Sequence, residues 1–190
     1  MAEPAPIRTP RLDLIAIPPE AIEHLLARDP TQAARALGGI ALPAEFPTQD
    51  ELAGFLRIQL ERMRREPARR DWMARLMIDR TTNQPIGHCG FHGPPQTIGR
   101  AEIGYTVFKQ HRDKGYAKEA AQALTGWAFD QGEREVYATV SPDNAPSLAV
   151  VRSLGFIQVG TQIDEIDGLE LVFVLRNPPT PSTTPTPSTR

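Results

Sequence analysis

Apolar and polar positions along the chain change period once, near Asp71, and the change separates a helical first part from a strand-rich remainder. Before it, Arg11-Leu12-Asp13-Leu14-Ile15-Ala16-Ile17 alternates and predicts a first strand. Pro18-Pro19 ends that strand and, with φ already near its helical value, starts a helix. Ile22, Leu25 and Leu26 share one face of it as far as Asp29-Pro30. Thr31 to Leu37 predicts a second short helix, closed by Gly38-Gly39. Thr48 and Glu51 make a capping box for a third, in which Leu52, Phe55, Leu56 and Leu60 form the buried stripe. Its far end, Glu61 to Arg70, is so charged that it predicts a solvated surface.

From Asp71 the period is that of strands. Trp72 to Ile78, Pro85 to Phe91 and Ala101 to Phe108 predict three consecutive strands, with Asn83-Gln84 and Gly93-Pro94-Pro95 as the turns. A longer helix after Gly115 carries Ala117, Ala120, Ala121, Leu124 and Ala128 on one side, and Gly132 follows its end. Val136 to Val140 is the next strand. A short helix with Leu148, Val151 and Leu154 inward then stops at Gly155. Phe156 to Ile163 and Leu169 to Leu175 close the pattern as a hairpin around Asp167-Gly168. Residues 177–190 are almost entirely Pro, Thr and Ser after Asn177 and predict an extended tail behind one α+β domain over residues 1–176. No internal repeat is present.

Composition narrows the class. A chain of 190 residues has room for one domain with a real core. Its net charge of −2 gives no general attraction to nucleic acid or to an anionic membrane, and neither is expected as a partner. No apolar run reaches the length of a membrane span, and MAEPAPIRTP lacks the apolar core of a secretion signal, so a cytoplasmic location is expected. The single cysteine, Cys89, excludes an internal disulfide and fits a reducing compartment. The nineteen prolines cluster at the two ends and in loops.

Chemistry concentrates in Tyr105 to Ala120, YTVFKQHRDKGYAKEA. A strand ends at Phe108, a basic loop follows, and a Gly-containing turn opens into an Ala-rich helix. That arrangement aims backbone N–H groups and a positive helix end at one point, which suits an anion and above all a phosphate. Two further segments stand at fixed distances: Ala101-Glu102-Ile103-Gly104-Tyr105, and Asn144-Ala145-Pro146-Ser147-Leu148 followed by Val151-Arg152-Ser153-Leu154-Gly155-Phe156. Together with Arg112-x-x-Gly115-x-Ala117, these resemble the core of the GNAT N-acetyltransferase superfamily. They are most similar to the branch that includes the ribosomal-protein N-terminal acetyltransferases, as is the opening Arg8-Thr9-Pro10-Arg11-Leu12-x-Leu14. The resemblance covers roughly Arg8 to Arg176. It implies a mixed, mostly antiparallel central sheet, splayed in the middle, with helices on both faces. It also implies acetyl-CoA as co-substrate, an amine as acceptor, and no metal.

The same resemblance implies roles for individual residues. The backbone of Arg112, Asp113, Lys114, Gly115, Tyr116 and Ala117 would hold the pyrophosphate, with Lys118, Lys109 and Lys114 as candidates for the outer phosphate and Arg152 a weaker one. The alternative for these side chains is an ordinary solvated charge. Strand splaying at Tyr105, Thr106 and Val107 would free N–H groups for the pantetheine arm and the thioester carbonyl. Glu102 matches the catalytic glutamate that takes the amine's proton, directly or through water; its alternative is an outward-facing strand residue. Many relatives carry a tyrosine acid seven residues after the motif asparagine, where this chain has Val151. Ser147 is the substitute, or else it caps the helix with Asn144, which also suits the pantetheine arm.

Other candidates weaken. His88, Cys89 and His92 are metal-ligand types, but neighbours on a strand point to opposite faces and no second cluster exists. His111 reads as an exposed loop residue. Trp72 and Trp127 read as core aromatics rather than a substrate wall. The acceptor site is expected between the Asp29–Thr48 region and the acidic hairpin bearing Asp164, Glu165, Asp167 and Glu170. The expected function is N-acetyl transfer from acetyl-CoA to a peptide N-terminus or a small amine, by direct attack in a ternary complex. A monomer or homodimer would serve. A non-catalytic acyl-CoA sensor that dispenses with Glu102 is the alternative, and a nucleotide-phosphate binder is a third reading.

Overall fold

The alternating segment after Arg11 forms the strand Leu12–Ala16 (β2), with Ile7–Arg8 (β1) paired antiparallel beside it. The computed structural model describes residues 4–43, 46, 50–164 and 168–177. Helices follow at Pro19–Leu26 (α1), Pro30–Ala36 (α2) and Asp50–Arg65 (α3). Then come the strands Ala74–Asp79 (β3), Gln84–Phe91 (β4) and Ala101–Val107 (β5), with a four-residue helix, Pro95–Ile98 (α4), inside the Pro-rich turn. Tyr116–Asp130 (α5), Glu135–Val140 (β6), Ala145–Ser153 (α6), Ile157–Asp164 (β7) and Gly168–Arg176 (β8) complete the order. Thr48 of the capping box, the side chain of Glu51, the hairpin tip at 165–167 and the tail from 178 onward lie outside what the structure describes.

The eight strands form one sheet in the order β1-β2-β3-β4-β5-β6-β8-β7, antiparallel at every step except β5–β6. On one face, Ile22 and Leu25 of α1 and Leu56, Leu60 and Met63 of α3 pack against Leu76 and Ile78. On the other, Ala120, Ala121, Leu124 and Ala128 of α5 meet Leu14, Met77, Phe91 and Ile103. Adjacent residues of β3 thus enter different cores, so the helices cover both faces as the α+β reading expects.

Two expectations are corrected. The strand after Asp71 begins at Ala74, because Pro67–Trp72 makes a 3-10 turn. That turn drops Trp72 into the core, with its ring centroid 4.7 Å from those of Phe91 and Trp127. The charged end of α3 is not all solvated: Met63 is buried, and Arg62 donates to the His92 carbonyl. Buried Gln59 also ties α3 to the sheet, donating to the carbonyls of Phe91 and His92 and accepting from the Ala74 N–H at 3.0 Å.

The parallel step is where the sheet opens. β5 and β6 pair only at Ala101↔Val136 and Glu102↔Tyr137, whereas β4 stays paired to β5 as far as Gly87↔Val107. From Ile103 onward the edge of β5 that faces β6 has no ladder partner, so the sheet splays two residues before the expected Tyr105.

Candidate active site

Where β5 ends, Lys109–His111 makes one 3-10 turn and the chain reverses. The Nε of Arg112 donates to the Val107 carbonyl at 3.1 Å, folding that side chain back onto β5. Asp113 and Gly115 both take left-handed conformations, φ 62° and 77°. Glycine tolerates that region freely and occupies the N-cap of α5 without a side chain to bond the first turn. The first ladder bond runs from the Glu119 N–H to the Gly115 carbonyl, 3.1 Å. The N–H groups of Tyr116, Ala117 and Lys118 are therefore free of the helix and sit at its positive end. The sequence analysis expects an anion cradle at this turn, and the geometry leaves those three donors unpaired within the helix.

A clasp holds the cradle from behind. The Thr9 hydroxyl and the Arg11 N–H both donate to Glu119 Oε1, at 2.6 and 2.8 Å, and Arg11 Nε donates to Oε2 at 2.6 Å. Arg11 Nη1 reaches the Lys114 carbonyl at 2.9 Å, and its guanidinium stacks 4.5 Å from the Tyr116 ring centre. The Tyr116 hydroxyl donates to Asp79 Oδ2 at 3.0 Å. Burial pushes the Glu119 carboxyl up, but the Thr9 hydroxyl and the Arg11 amide and guanidinium outweigh it and hold the group below its ordinary 4.5. Sequence reasoning assigns no role to Arg11, Glu119 or Asp79; the Arg8-to-Leu14 opening was the available signal.

Beyond the cradle, the splay opens a cleft of about 600 Å³. Ala101, Ile103 and Val107 belong to the α5-side core, so Glu102, Gly104 and Thr106 face the α3 side. On β4, Cys89 and Phe91 point to the α5 side, and His88 and His92 to the cleft. Thr106, Asn144 and Ser147 line its mouth, and Glu170 its far rim. The wall toward the first helices is a correction: Leu52 and Phe55 of α3 form it. From the expected Asp29–Thr48 region, Phe46 approaches, its ring 5.6 Å from that of His88. Residues 44–45 and 47–49 lie outside the described residues.

Glu102 sits beneath this cleft rather than facing outward, with 6% of its surface exposed. Oε1 accepts from the Thr139 hydroxyl at 2.7 Å, and Oε2 accepts from Arg100 Nε at 2.8 Å. His92, whose side chain is 42% exposed, places Nδ1 3.6 Å from Oε1. Burial pushes His88 down to about 4, so that ring stays neutral, and pushes the Cys89 thiol up to about 12, which leaves it inert.

On the leaving-group side, the Asn144 side chain accepts from the Ser147 N–H at 3.2 Å. Asn144 is therefore the cap of α6, and the Ser147 hydroxyl does not provide it. Val151, at 0% exposure, belongs to the core. The Tyr105 hydroxyl lies 3.5 Å from the Ser147 carbonyl, and burial pushes it up to about 12. It thus stays protonated at the N-terminal turn of α6.

Known proteins resemble this chain in sequence and in fold. A Bacillus licheniformis chain named uncharacterized N-acetyltransferase p20 is 40% identical over 85 residues, which are 44% of this chain and 48% of that one. Bacillus subtilis YjdG, named in the same way, is 36% identical over 83 residues, 43% of this chain and 49% of that one. The chain thus spans about half the length of the curated relatives it matches. Among solved structures, an acetyltransferase from Agrobacterium tumefaciens superposes with a TM-score of 0.60 at 24% identity, covering 93% of this chain and 97% of that one. The ribosomal-protein-S5-alanine acetyltransferase from Vibrio fischeri gives 0.61 at 15% identity, covering 92% and 98%. The microcin C7 self immunity acetyltransferase MccE, solved with acetyl-CoA and AMP, gives 0.61 at 16%, covering 89% and 94%. At these identities the superpositions show a shared fold. The family model described as an acetyltransferase (GNAT) domain matches residues 11–157, from the clasp through the cradle and cleft to the start of β7. The chain belongs to the GNAT acetyltransferase family.

Proposed function

We propose that this protein transfers an acetyl group from acetyl-CoA to a primary amine, by direct attack within a ternary complex. The observation that carries the reading is the conjunction of the uncapped N-terminus of α5 with the splay of β5 from β6. The first suits a pyrophosphate, and the second leaves the backbone of Tyr105 to Val107 free on the β6 side to bond an acyl-pantetheine arm. The residues present therefore fit acetyl-CoA, which supplies the activated acyl carbon.

The remaining roles belong to the chain. The backbone of Arg112, Asp113, Lys114, Gly115, Tyr116 and Ala117 binds phosphate oxygens, with exposed Lys118 and Lys114 beside it. Asn144 and Ser147 position the arm at the cleft mouth. Glu102 provides the negative charge that draws the amine's proton, acting from beneath the cleft floor. Ser147 and the protonated Tyr105 hydroxyl are the donors nearest the departing thiolate. Glu170 on the rim favours a cationic acceptor, and the ribosomal-protein enzyme among the structural neighbours makes a peptide N-terminus the first acceptor to test.

The test follows thiol release from acetyl-CoA with Ala-, Ser- and Met-initiated peptides and with spermidine and tyramine. Turnover on at least one acceptor is expected, with CoA binding abolished in Gly115→Val. Tight CoA binding without turnover on any of them favours the sensor reading.

A further inference from the structure

We infer that His92, not Glu102, is the group that meets the acceptor amine and takes its proton, with Glu102 as the positioning residue behind it. The inference rests on the acetyltransferase reading above. Glu102 is poorly placed for contact: it is 6% exposed, and both oxygens already accept hydrogen bonds, from Thr139 and Arg100. His92 is the titratable side chain between that carboxylate and the open cleft. Its Nδ1 faces Oε1 at 3.6 Å, which a small ring rotation shortens to a hydrogen bond, and its side chain is 42% exposed. An Nδ1–H directed at a carboxylate leaves Nε2 as the basic nitrogen.

The surroundings hold the ring in that place. The His92 N–H donates to the Glu102 carbonyl at 2.9 Å, and the His92 carbonyl accepts from Gln59 and Arg62. Phe55 meets the ring edge-on with centroids 6.0 Å apart. A Cβ on Gly104 would lie 2.9 Å from Nε2, so the ring occupies space that only glycine leaves open on β5. The charged and titratable groups around it are Glu102 with its partner Arg100 on the β5 side, Arg62 on α3, His88 on β4 and Glu170 on β8.

The proton balance is simple. The bound ammonium gives one proton to Nε2, and the neutral nitrogen bonds to the thioester carbonyl carbon. The C–S bond breaks with its electron pair on sulfur, and the second nitrogen proton ends on that sulfur. The imidazolium, steadied by Glu102, returns its proton to solvent through its exposed edge.

The test compares wild type, His92→Gln and Gly104→Ala on an accepted peptide across pH. A general base contributes about 10²–10⁴-fold, so His92→Gln should lose about 100-fold in kcat at pH 7 while its CoA affinity stays within about twofold. The deficit should narrow to under about tenfold near pH 9, about one unit above the pKa of a peptide α-amino group, where the amine has already shed its own proton, a trend that a purely structural role would not produce. Site-mapped carbethoxylation by diethyl pyrocarbonate should label His92 in the wild type and label it more slowly in Gly104→Ala. Wild-type turnover with His92→Gln within twofold at pH 7, a deficit constant with pH, or an unlabelled His92 overturns this inference alone. No wild-type turnover on any acceptor overturns the acetyltransferase reading as well.

Discussion

At the scale of single residues, burial fixes the protonation state of three groups beside the cleft, His88 and Cys89 on β4 and Tyr105 on β5. His88 illustrates the stability side. Burial pushes it down to about 4 from 6.5, so the folded chain refuses a proton that the unfolded chain accepts between those values. Its contribution is therefore complete above pH 6.5 and is lost as pH falls toward 4. Urea midpoints measured from pH 7.5 to 4.5 should fall, and His88→Gln should flatten part of that slope. Residue placement was readable where local structure decides it, as with Gly115 at the α5 N-cap and Glu102 on β5. What Glu102 touches was not readable, because Thr139 and Arg100 reach it through strand pairing that spacing along the chain does not reveal.

Between elements, the clasp of Thr9 and Arg11 on Glu119 joins the segment before β2 to the first turn of α5. Three hydrogen bonds donated to one carboxylate, from the Thr9 hydroxyl and the Arg11 amide and guanidinium, support a cost of about 1–3 kcal/mol for Glu119→Ala, read as a lower urea midpoint. The sign with pH follows from the lowered carboxyl. Its stabilisation is present above the ordinary 4.5 and is lost as pH drops below it, so Glu119→Gln should lose least against wild type in acid. The helices and strands themselves were mostly legible, since amphipathic period and proline placement act locally. The start of β3 was not, because a 3-10 turn and a strand end look alike across Asp71-Trp72 until Trp72 meets Phe91 and Trp127.

For the molecule as a whole, the cleft and the turn into α5 both lie beyond the point where one parallel strand pair stops, after Glu102. A ligand bridging them binds only the folded chain. Acetyl-CoA at a hundredfold excess over its Kd should add about 2.7 kcal/mol of stability. At about 2–4 °C per kcal/mol for a chain of this size, the Tm should rise by about 5–10 °C in differential scanning calorimetry. Gly115→Val should cancel the rise.

The sequence by itself determined the Gly115 turn into α5, the order of its partner motifs and the α+β class, because each follows from contacts between near neighbours. Tertiary structure alone decided which groups share the cleft. Ile86 bulges between Pro85 and Gly87 in the β3–β4 ladder, so the side on which His88 and His92 emerge cannot be counted from the start of β4. The pairing of β4 with β5 sets His92 over Glu102 and Gly104, and α3 supplies Phe55 and Arg62 from far earlier in the chain. Side-chain facing depends on register, and register is settled only when distant strands pack against a common core.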